Sequence, residues 1–296
     1  MRPTSTMMPF DVSINFPTRQ QIENIHVRPN GHLLLSTLNS GNFLTLDPYA
    51  VLPSPEVVIS LPNVTALTGI STINEEANIF AVCGGEHVSF GFVDGIMALF
   101  IVQIVVDAEN REHGVVLDRI PVNASLNGMA SLPTKPHVIL VGDSTGGNAG
   151  VIGVNTRTHE VGIAINDPAL GDYQNYTNSS KGTFGRFPID GDGSKVGDAE
   201  ILATIPDFPP SFRNTYDDFA LDERGNAYVS LHSFACVKIT PGGEQMLWIG
   251  GMGDFADVLK LTSAAVSRDG RLVYVATGGT TVGSTVLGGQ VLEIGI

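Results

Sequence analysis

"NTYDDFALDERGNAYVSL", running from Asn214 to Leu231, is the stretch on which the fold turns. Two adjacent carboxylates, Asp217 and Asp218, precede a short apolar run, a polar turn and a second, β-rich apolar run. Two short apolar runs separated by a polar turn read as a β-hairpin. The same shape recurs in "IENIHVRPNGHLLLST" from Ile22, "LTGISTINEEANIFAVC" from Leu67, "LNGMASLPTKPHVILVGD" from Leu126 and "LTSAAVSRDGRLVYVAT" from Leu261.

The second residue of each unit is Glu23, Thr68, Asn127, Asp217 or Thr262, so successive spacings are 45, 59, 90 and 45. A spacing of 90 is twice 45, which predicts one further unit near position 172, where "LGDYQNYTNSSKG" lacks the apolar first strand. A period near 45 with about four strands per unit is the signature of a β-propeller. The expected fold is therefore all-β: one six-bladed β-propeller domain spanning 1–296, with a degenerate or shortened fourth blade. The outer strands are expected in "NFLTLDP", "VIGVNTRTHEVGIAI", "TFGRFPID" and "CVKITPGGEQMLWIG". "FDVSINFP" and "GGQVLEIGI" are expected to pair and close the ring, removing an open sheet edge.

Composition agrees. Hydrophobic residues make up 43% and charged residues 16%, a core-forming balance, and 34 glycines imply many turns. A net charge of −14 without a Lys/Arg cluster argues against nucleic acid and anionic membranes as partners. Two cysteines, Cys83 and Cys236, are too few for a disulfide framework, and two separate buried thiols are expected. The longest apolar run, Ile96–Val106, is too short to span a bilayer and reads as buried strand. The first residues lack the apolar segment of a signal peptide, whereas four N-glycosylation sequons, at Asn63, Asn123, Asn175 and Asn178, point toward a secretory route and a glycoprotein.

In a propeller the innermost strands line a central channel. Glu23, Thr68, Asn127, Asp217 and Thr262 are therefore expected to converge at one mouth from five units. Asp217 is expected in a pocket; Asp218 is either a second pocket acid or the cap of a turn.

Several motifs carry less. "DGDGSKVGDAE" (Asp190–Glu200) has Lys195 where a calcium loop needs Gly and Ile201 where it needs Glu, so it reads as a polar turn. "GDSTGG" (Gly142–Gly147) is not a nucleophile elbow and reads as a blade turn. His26 and Trp248 read as packing residues.

From "LVGDSTGG" at Leu140 through "VNTRTHEVGIAINDP", "KGTFGRFPIDGDG", "AEILATIPD" and "DDFALDERGNAYVSL" to "LTSAAVSRDGRLVYVATGG", the chain resembles the SMP-30/gluconolactonase-like propellers. The resemblance is to their fungal branch in particular. It implies one of two chemistries. The lactonases of the family bind a divalent cation such as Ca2+ through a Glu, two Asn and an Asp at the blade entrances. Glu23, Asn127 and Asp217 stand at or beside three of these positions, and Thr262 stands at the last, where a neutral hydroxyl is a poor ligand for a hard cation.

The fungal branch also includes cofactor-free hetero-Diels–Alderases of secondary metabolism, which join a tropolone-derived quinone methide to a terpene alkene. That reaction needs an apolar cavity, hydrogen-bond donors and an acid–base group. For it, Asp217, Arg213, Tyr216 and Glu23 are the candidate catalytic residues. Thr68, Asn127, Phe208, Phe212, Asp218, Thr262, Tyr173, Tyr176 and His232 are candidates to bind hydrophobic small-molecule substrates. The expectation is this cofactor-free cyclase; a metal-dependent lactonase or esterase, and a non-catalytic binding propeller, are the alternatives.

Overall fold

The computed structural model describes residues 10–88, 91–93, 95–144, 150–167, 182–205, 215–231, 235–250, 258 and 260–296. The chain begins with β1 (Phe10–Asn15). Blade 1 follows as β2 (Ile22–Val27), β3 (Leu33–Thr37), β4 (Asn42–Leu46) and β5 (Glu56–Ser60). Blade 2 contains β6 (Ala66–Asn74) and β7 (Ile79–Gly85), then a small hairpin of β8 (His87–Val88) and β9 (Gly91–Phe92), then β10 (Ala98–Val106) and β11 (Glu112–Pro121). Blade 3 is β12 (Leu126–Leu132), β13 (Lys135–Asp143), β14 (Gly150–Asn155) and β15 (Val161–Ile165).

A two-stranded hairpin comes next, β16 (Thr183–Arg186) with β17 (Glu200–Thr204). Blade 4 is β18 (Tyr216–Leu221), β19 (Ala227–Leu231), β20 (Ala235–Ile239) and β21 (Gln245–Gly250). Blade 5 is β22 (Leu261–Val266), β23 (Leu272–Thr277) and, after a hairpin of β24 (Thr280–Val282) and β25 (Thr285–Leu287), β26 (Gln290–Gly295). β1 completes blade 5 by pairing with β26, from Phe10 opposite Ile294 to Asn15 opposite Gln290. The expected closure by the two ends of the chain is therefore present, and each of the five repeats forms the first two strands of a blade.

The expected count of six is corrected. The described residues form five four-stranded blades, with the two-stranded β16–β17 between blades 3 and 4 in sequence; the stretch near position 172, where the further unit was expected, lies almost wholly outside the described residues. The hairpin is wedged between blades 3 and 4. Phe184 of β16 packs edge-on against Tyr216 and Phe219 of β18, while Gly193, in the turn of the hairpin, lies against Leu132 and Leu140 of blade 3. A residue spacing of 90 provides the chain length for another blade but does not require that length to fold as four strands.

The core lies between blades. In "HLLLS" the alternation of a strand sends Leu33 and Leu35 into the cluster shared with Tyr274, Ala276 and Val291 of blade 5, and Leu34 into the cluster shared with Phe80, Val82 and Phe100 of blade 2. A strand buried on both faces has to be apolar at every position, which is why this run carries no polar alternation. Ile96–Val106 provides β10, a buried strand as expected. Cys83 and Cys236 are both free and buried, in blades 2 and 4. Trp248 packs on Tyr228 with ring centroids 4.5 Å apart. Among the described residues no helix is long and apolar enough to cross a membrane.

Candidate active site

Every innermost strand departs from regular pairing at the same place. The register with the second strand shifts between Ile22 and Asn24, Leu67 and Ile70, Leu126 and Met129, Tyr216 and Phe219, and Leu261 and Ser263. The residues released by these bulges are Glu23, Thr68–Gly69, Asn127–Gly128, Asp217–Asp218 and Thr262. A bulge takes a residue out of the ladder and re-aims its side chain. The repeat position singled out in the sequence is thus a bulge in all five blades.

The bulges do not all aim the same way. Glu23 of blade 1, Asp217 and Asp218 of blade 4 and Lys260, which leads into blade 5, act on one another electrostatically. Burial pushes the Glu23 carboxyl from an ordinary 4.5 up to about 8; the negative charges of Asp217 and Asp218 add to the rise and the Lys260 ammonium opposes it. Burial likewise lifts Asp218 to about 6, against hydrogen bonds from the Phe219 amide, Ser263 and Asn24 that favour its charge. Asn24 Nδ2 donates to Asp218 Oδ2, and Ser263 Oγ donates to the same oxygen at 2.9 Å. Asn24 belongs to blade 1 and Asp218 to blade 4, which are not neighbours, so their hydrogen bond crosses the central channel. Lys260 holds a left-handed backbone (φ 52°), unusual for a residue with a side chain, and its carbonyl accepts from the Gly278 amide at 2.8 Å.

Thr68 and Thr262, expected to bind substrate, have their hydroxyls engaged by main chain. Each is buried, and each hydroxyl donates at 2.9 Å to the main chain of the next blade: Thr68 to the carbonyl of Leu126, Thr262 to that of Ile22. They are staples that hold the backbone immediately before Asn127 and Glu23.

Tyr216, expected among the catalytic residues, is engaged with blade 4 and the hairpin. Its hydroxyl donates to Gln245 Oε1 and its ring packs on Phe184, so it belongs to the wedge between blade 4 and the hairpin. Phe208, Phe212, Arg213, Tyr173, Tyr176 and His232 lie outside the described residues, as do the sequons at Asn175 and Asn178. His26 is a packing residue as expected: its Nε2 lies 2.7 Å from Thr72 Oγ1, its ring meets Phe80 edge-on, and burial lowers it to about 4. The Asp190 loop is a polar turn in which Asp190 accepts from the amides of Asp192 and Ser194.

Asp218 was among the candidates from the sequence; the residues that the sequence did not reveal are the others one place further along each strand: Asn24, Gly69, Gly128 and Ser263. The two glycines are there for room. A Cβ on Gly69 would lie 2.3 Å from the Asn127 carbonyl oxygen, and one on Gly128 would lie 3.3 Å from Asp218 Oδ1.

The divalent cation implied by the family resemblance fits this arrangement poorly. Of the expected ligands, Glu23 interacts with Asp217 and with an ammonium close by, the Thr262 hydroxyl is engaged by the Ile22 carbonyl, and a hard cation of the calcium type takes six to eight oxygens. Among the described residues no three His, Cys, Asp or Glu side chains form a group suited to a metal ion.

No protein-family model and no curated protein matches this sequence. Solved structures do match. A calcium-binding protein, regucalcin, from Agrobacterium tumefaciens is 15% identical over 99% of this chain and 96% of its own, with a TM-score of 0.62. A putative gluconolactonase is 11% identical over 99% and 93%, with a TM-score of 0.56. A putative oxidoreductase (glucose dehydrogenase) from a Thermus species is 12% identical over 97% and 99%, with a TM-score of 0.54. At these identities the likeness establishes the architecture, and the chain shares the β-propeller fold of the regucalcin and gluconolactonase structures.

Proposed function

We propose that the protein is a cofactor-free hydrolase that opens a lactone or a related ester at the mouth of its channel. The observation that supports this reading is the Glu23–Asp217 pair, carboxyl groups from blades 1 and 4 that interact electrostatically, with Glu23 buried. Burial and the Asp217 charge keep a proton on Glu23 at neutral pH. A buried carboxyl that keeps its proton at neutral pH can serve as a general acid, with a neighbouring carboxyl as the partner base. Asp217 takes a proton from water as the water oxygen bonds to the acyl carbon. The acyl C–O bond breaks, and the Glu23 proton goes to the departing ring oxygen. Lys260 supplies positive charge for the carbonyl oxygen as it becomes anionic. The gluconolactonase likeness is in keeping with this chemistry but adds only fold-level support.

Cycloaddition has less behind it. Tyr216, one of its candidate residues, is engaged with Gln245, and the gluconolactonase likeness is on the side of hydrolysis.

The test is hydrolysis of a panel of aldonolactones, alkyl lactones and aryl esters, followed in a pH-stat. Turnover is expected to fall above about pH 8 as Glu23 loses its proton, and Glu23→Gln and Asp217→Asn are each expected to lose at least about 100-fold in kcat, the lower range for a general acid or base. Absence of turnover on the whole panel, or full activity in Glu23→Gln, rejects the reading.

A further inference from the structure

We propose that Asp218 is a positioning residue, an axial lock that ties blades 1, 4 and 5 together and so fixes Glu23 against Asp217. The proposal rests on the hydrolase reading for what is positioned, and on geometry for how.

Three donors converge on one carboxylate. Oδ2 receives Asn24 Nδ2 and Ser263 Oγ, the latter at 2.9 Å, and Oδ1 receives the Phe219 amide at 2.9 Å. Asn24 and Ser263 are buried. Each member of the lock directly follows a bulge residue: Asn24 follows Glu23, Asp218 follows Asp217, and Ser263 follows Thr262, whose hydroxyl holds the Ile22 carbonyl. Moving Asp218 therefore moves both acids of the proposed reaction through one peptide unit each.

Space is reserved for the same group. Gly128 stands where any side chain would press on Asp218 Oδ1, its own Cβ at 3.3 Å. A carboxylate already accepting three hydrogen bonds is poorly placed to take a proton from water, and well placed to hold three strands in register.

This role separates from a direct one by comparing two substitutions. Asp218→Asn keeps the shape: with the Asn24 amide turned over, the new NH2 donates to Asn24 Oδ1, while its oxygen still accepts from Ser263 or Phe219. Asp218→Ala removes the lock. A lock predicts that Asp218→Ala loses at least about 100-fold in kcat with KM within about threefold, and that Asp218→Asn recovers to within about tenfold of wild type. Ser263→Ala, which leaves the acid in place, is expected to lose several-fold in kcat in the same direction.

A second readout does not depend on turnover: NMR titration of the Glu23 carboxyl in protein labelled with 13C. Asp218 is the smallest of the charge effects on Glu23, and burial is the largest. Removing the charge alone, as in Asp218→Asn, should therefore leave the Glu23 midpoint within about half a pH unit. Loosening the lock, as in Asp218→Ala, should lower it by more than about one.

Equal losses of kcat in Asp218→Asn and Asp218→Ala would overturn the proposal, by showing that the charge acts on the substrate. Wild-type kcat and an unmoved Glu23 midpoint in Asp218→Ala would overturn it too. If the wild-type protein hydrolyses none of the panel, the hydrolase reading fails alone, and the titration still decides the lock.

Discussion

The hydroxyl of Thr262 donates to the carbonyl of Ile22 across 2.9 Å, so the last blade of the ring holds the residue next to Glu23 in the first. Both residues are buried. Thr262→Val keeps the shape and removes the donor. The expected cost is about 1 kcal/mol of stability, or roughly 2–4 °C in Tm. Because Ile22 anchors Glu23, a several-fold loss of kcat should accompany it. Thr68→Val, the matching staple ahead of Asn127, should match it in stability. Unchanged melting in both variants would show that the staples carry no load.

Glu23 makes stability fall with rising pH. The folded state keeps a proton on Glu23 up to about 8, whereas the unfolded chain releases it near 4.5. Between these values the folded state binds more protons, so stability declines as pH rises. Asp218, lifted from 3.8 to about 6, acts in the same sense in a lower window. His26 acts oppositely: its folded value of about 4 lies below its ordinary 6.5, so it adds stability as pH rises between them. Above pH 6.5 Glu23 acts with little opposition. Thermal melts from pH 6.5 to 8.5 should show Tm falling by several degrees, and Glu23→Gln should flatten the curve and melt higher at pH 8.5. A flat wild-type curve would contradict the burial of this acid.

Gly69→Ala tests the close approach of blades 2 and 3. The added Cβ would fall 2.3 Å from the carbonyl oxygen of Asn127, which is main chain and cannot swing aside. A loss of roughly 1–3 kcal/mol is expected. Gly142→Ala, whose Cβ would meet the nearest atom at an ordinary 3.6 Å, is the control and should stay within about 0.5 kcal/mol.

Cation binding is tested directly. With the Thr262 hydroxyl engaged by the main chain and Lys260 beside the carboxyls, millimolar calcium should leave Tm within about a degree, and chelator should leave activity unchanged. A ligand at 100 times its Kd stabilises by about 2.7 kcal/mol, so a rise of several degrees would reveal a site that this donor set does not suggest.

The blades were legible because period-2 apolar runs and polar turns are written locally. The closure of Phe10–Asn15 on Gln290–Gly295 followed from the need to cover an edge. What lines the channel was less legible. A bulge resets the alternation of inward and outward side chains, and nothing in "LTG" or "LTS" announces that the Thr hydroxyl reaches the main chain of the next blade. Asp218 looked like a turn cap as much as a pocket acid because its partners, Asn24 and Ser263, lie 194 and 45 residues away. Lys260 gave no signal, since one cation before a strand is commonplace. The blade count failed because spacing measures chain length and not strand formation.

Arg28 and Glu112 provide the last test, at a joint away from the channel. Arg28 is 2% exposed, and its Nη atoms donate to both Glu112 oxygens at 2.6 and 2.8 Å, tying blade 1 to the outermost strand of blade 2. Nη1 also donates to Thr45 Oγ1 at 3.2 Å, while Nε has no partner among the described residues. The Arg28 hydrogen bonds hold the Glu112 carboxyl below its ordinary 4.5, so this pair's contribution is present above that value and is lost as pH falls through the lowered one. Glu112→Gln strands a buried guanidinium and should cost about 3 kcal/mol, near the low end for a broken buried pair because Glu112 is 21% exposed. Replacing both, as Arg28→Met with Glu112→Leu, removes the stranded charge together with its partner. The double variant should recover most of the loss, because the desolvation of an ion pair offsets most of its attraction. Urea melts of the three proteins decide it: a double variant less stable than Glu112→Gln would mean that this pair contributes well beyond the cost of burying it.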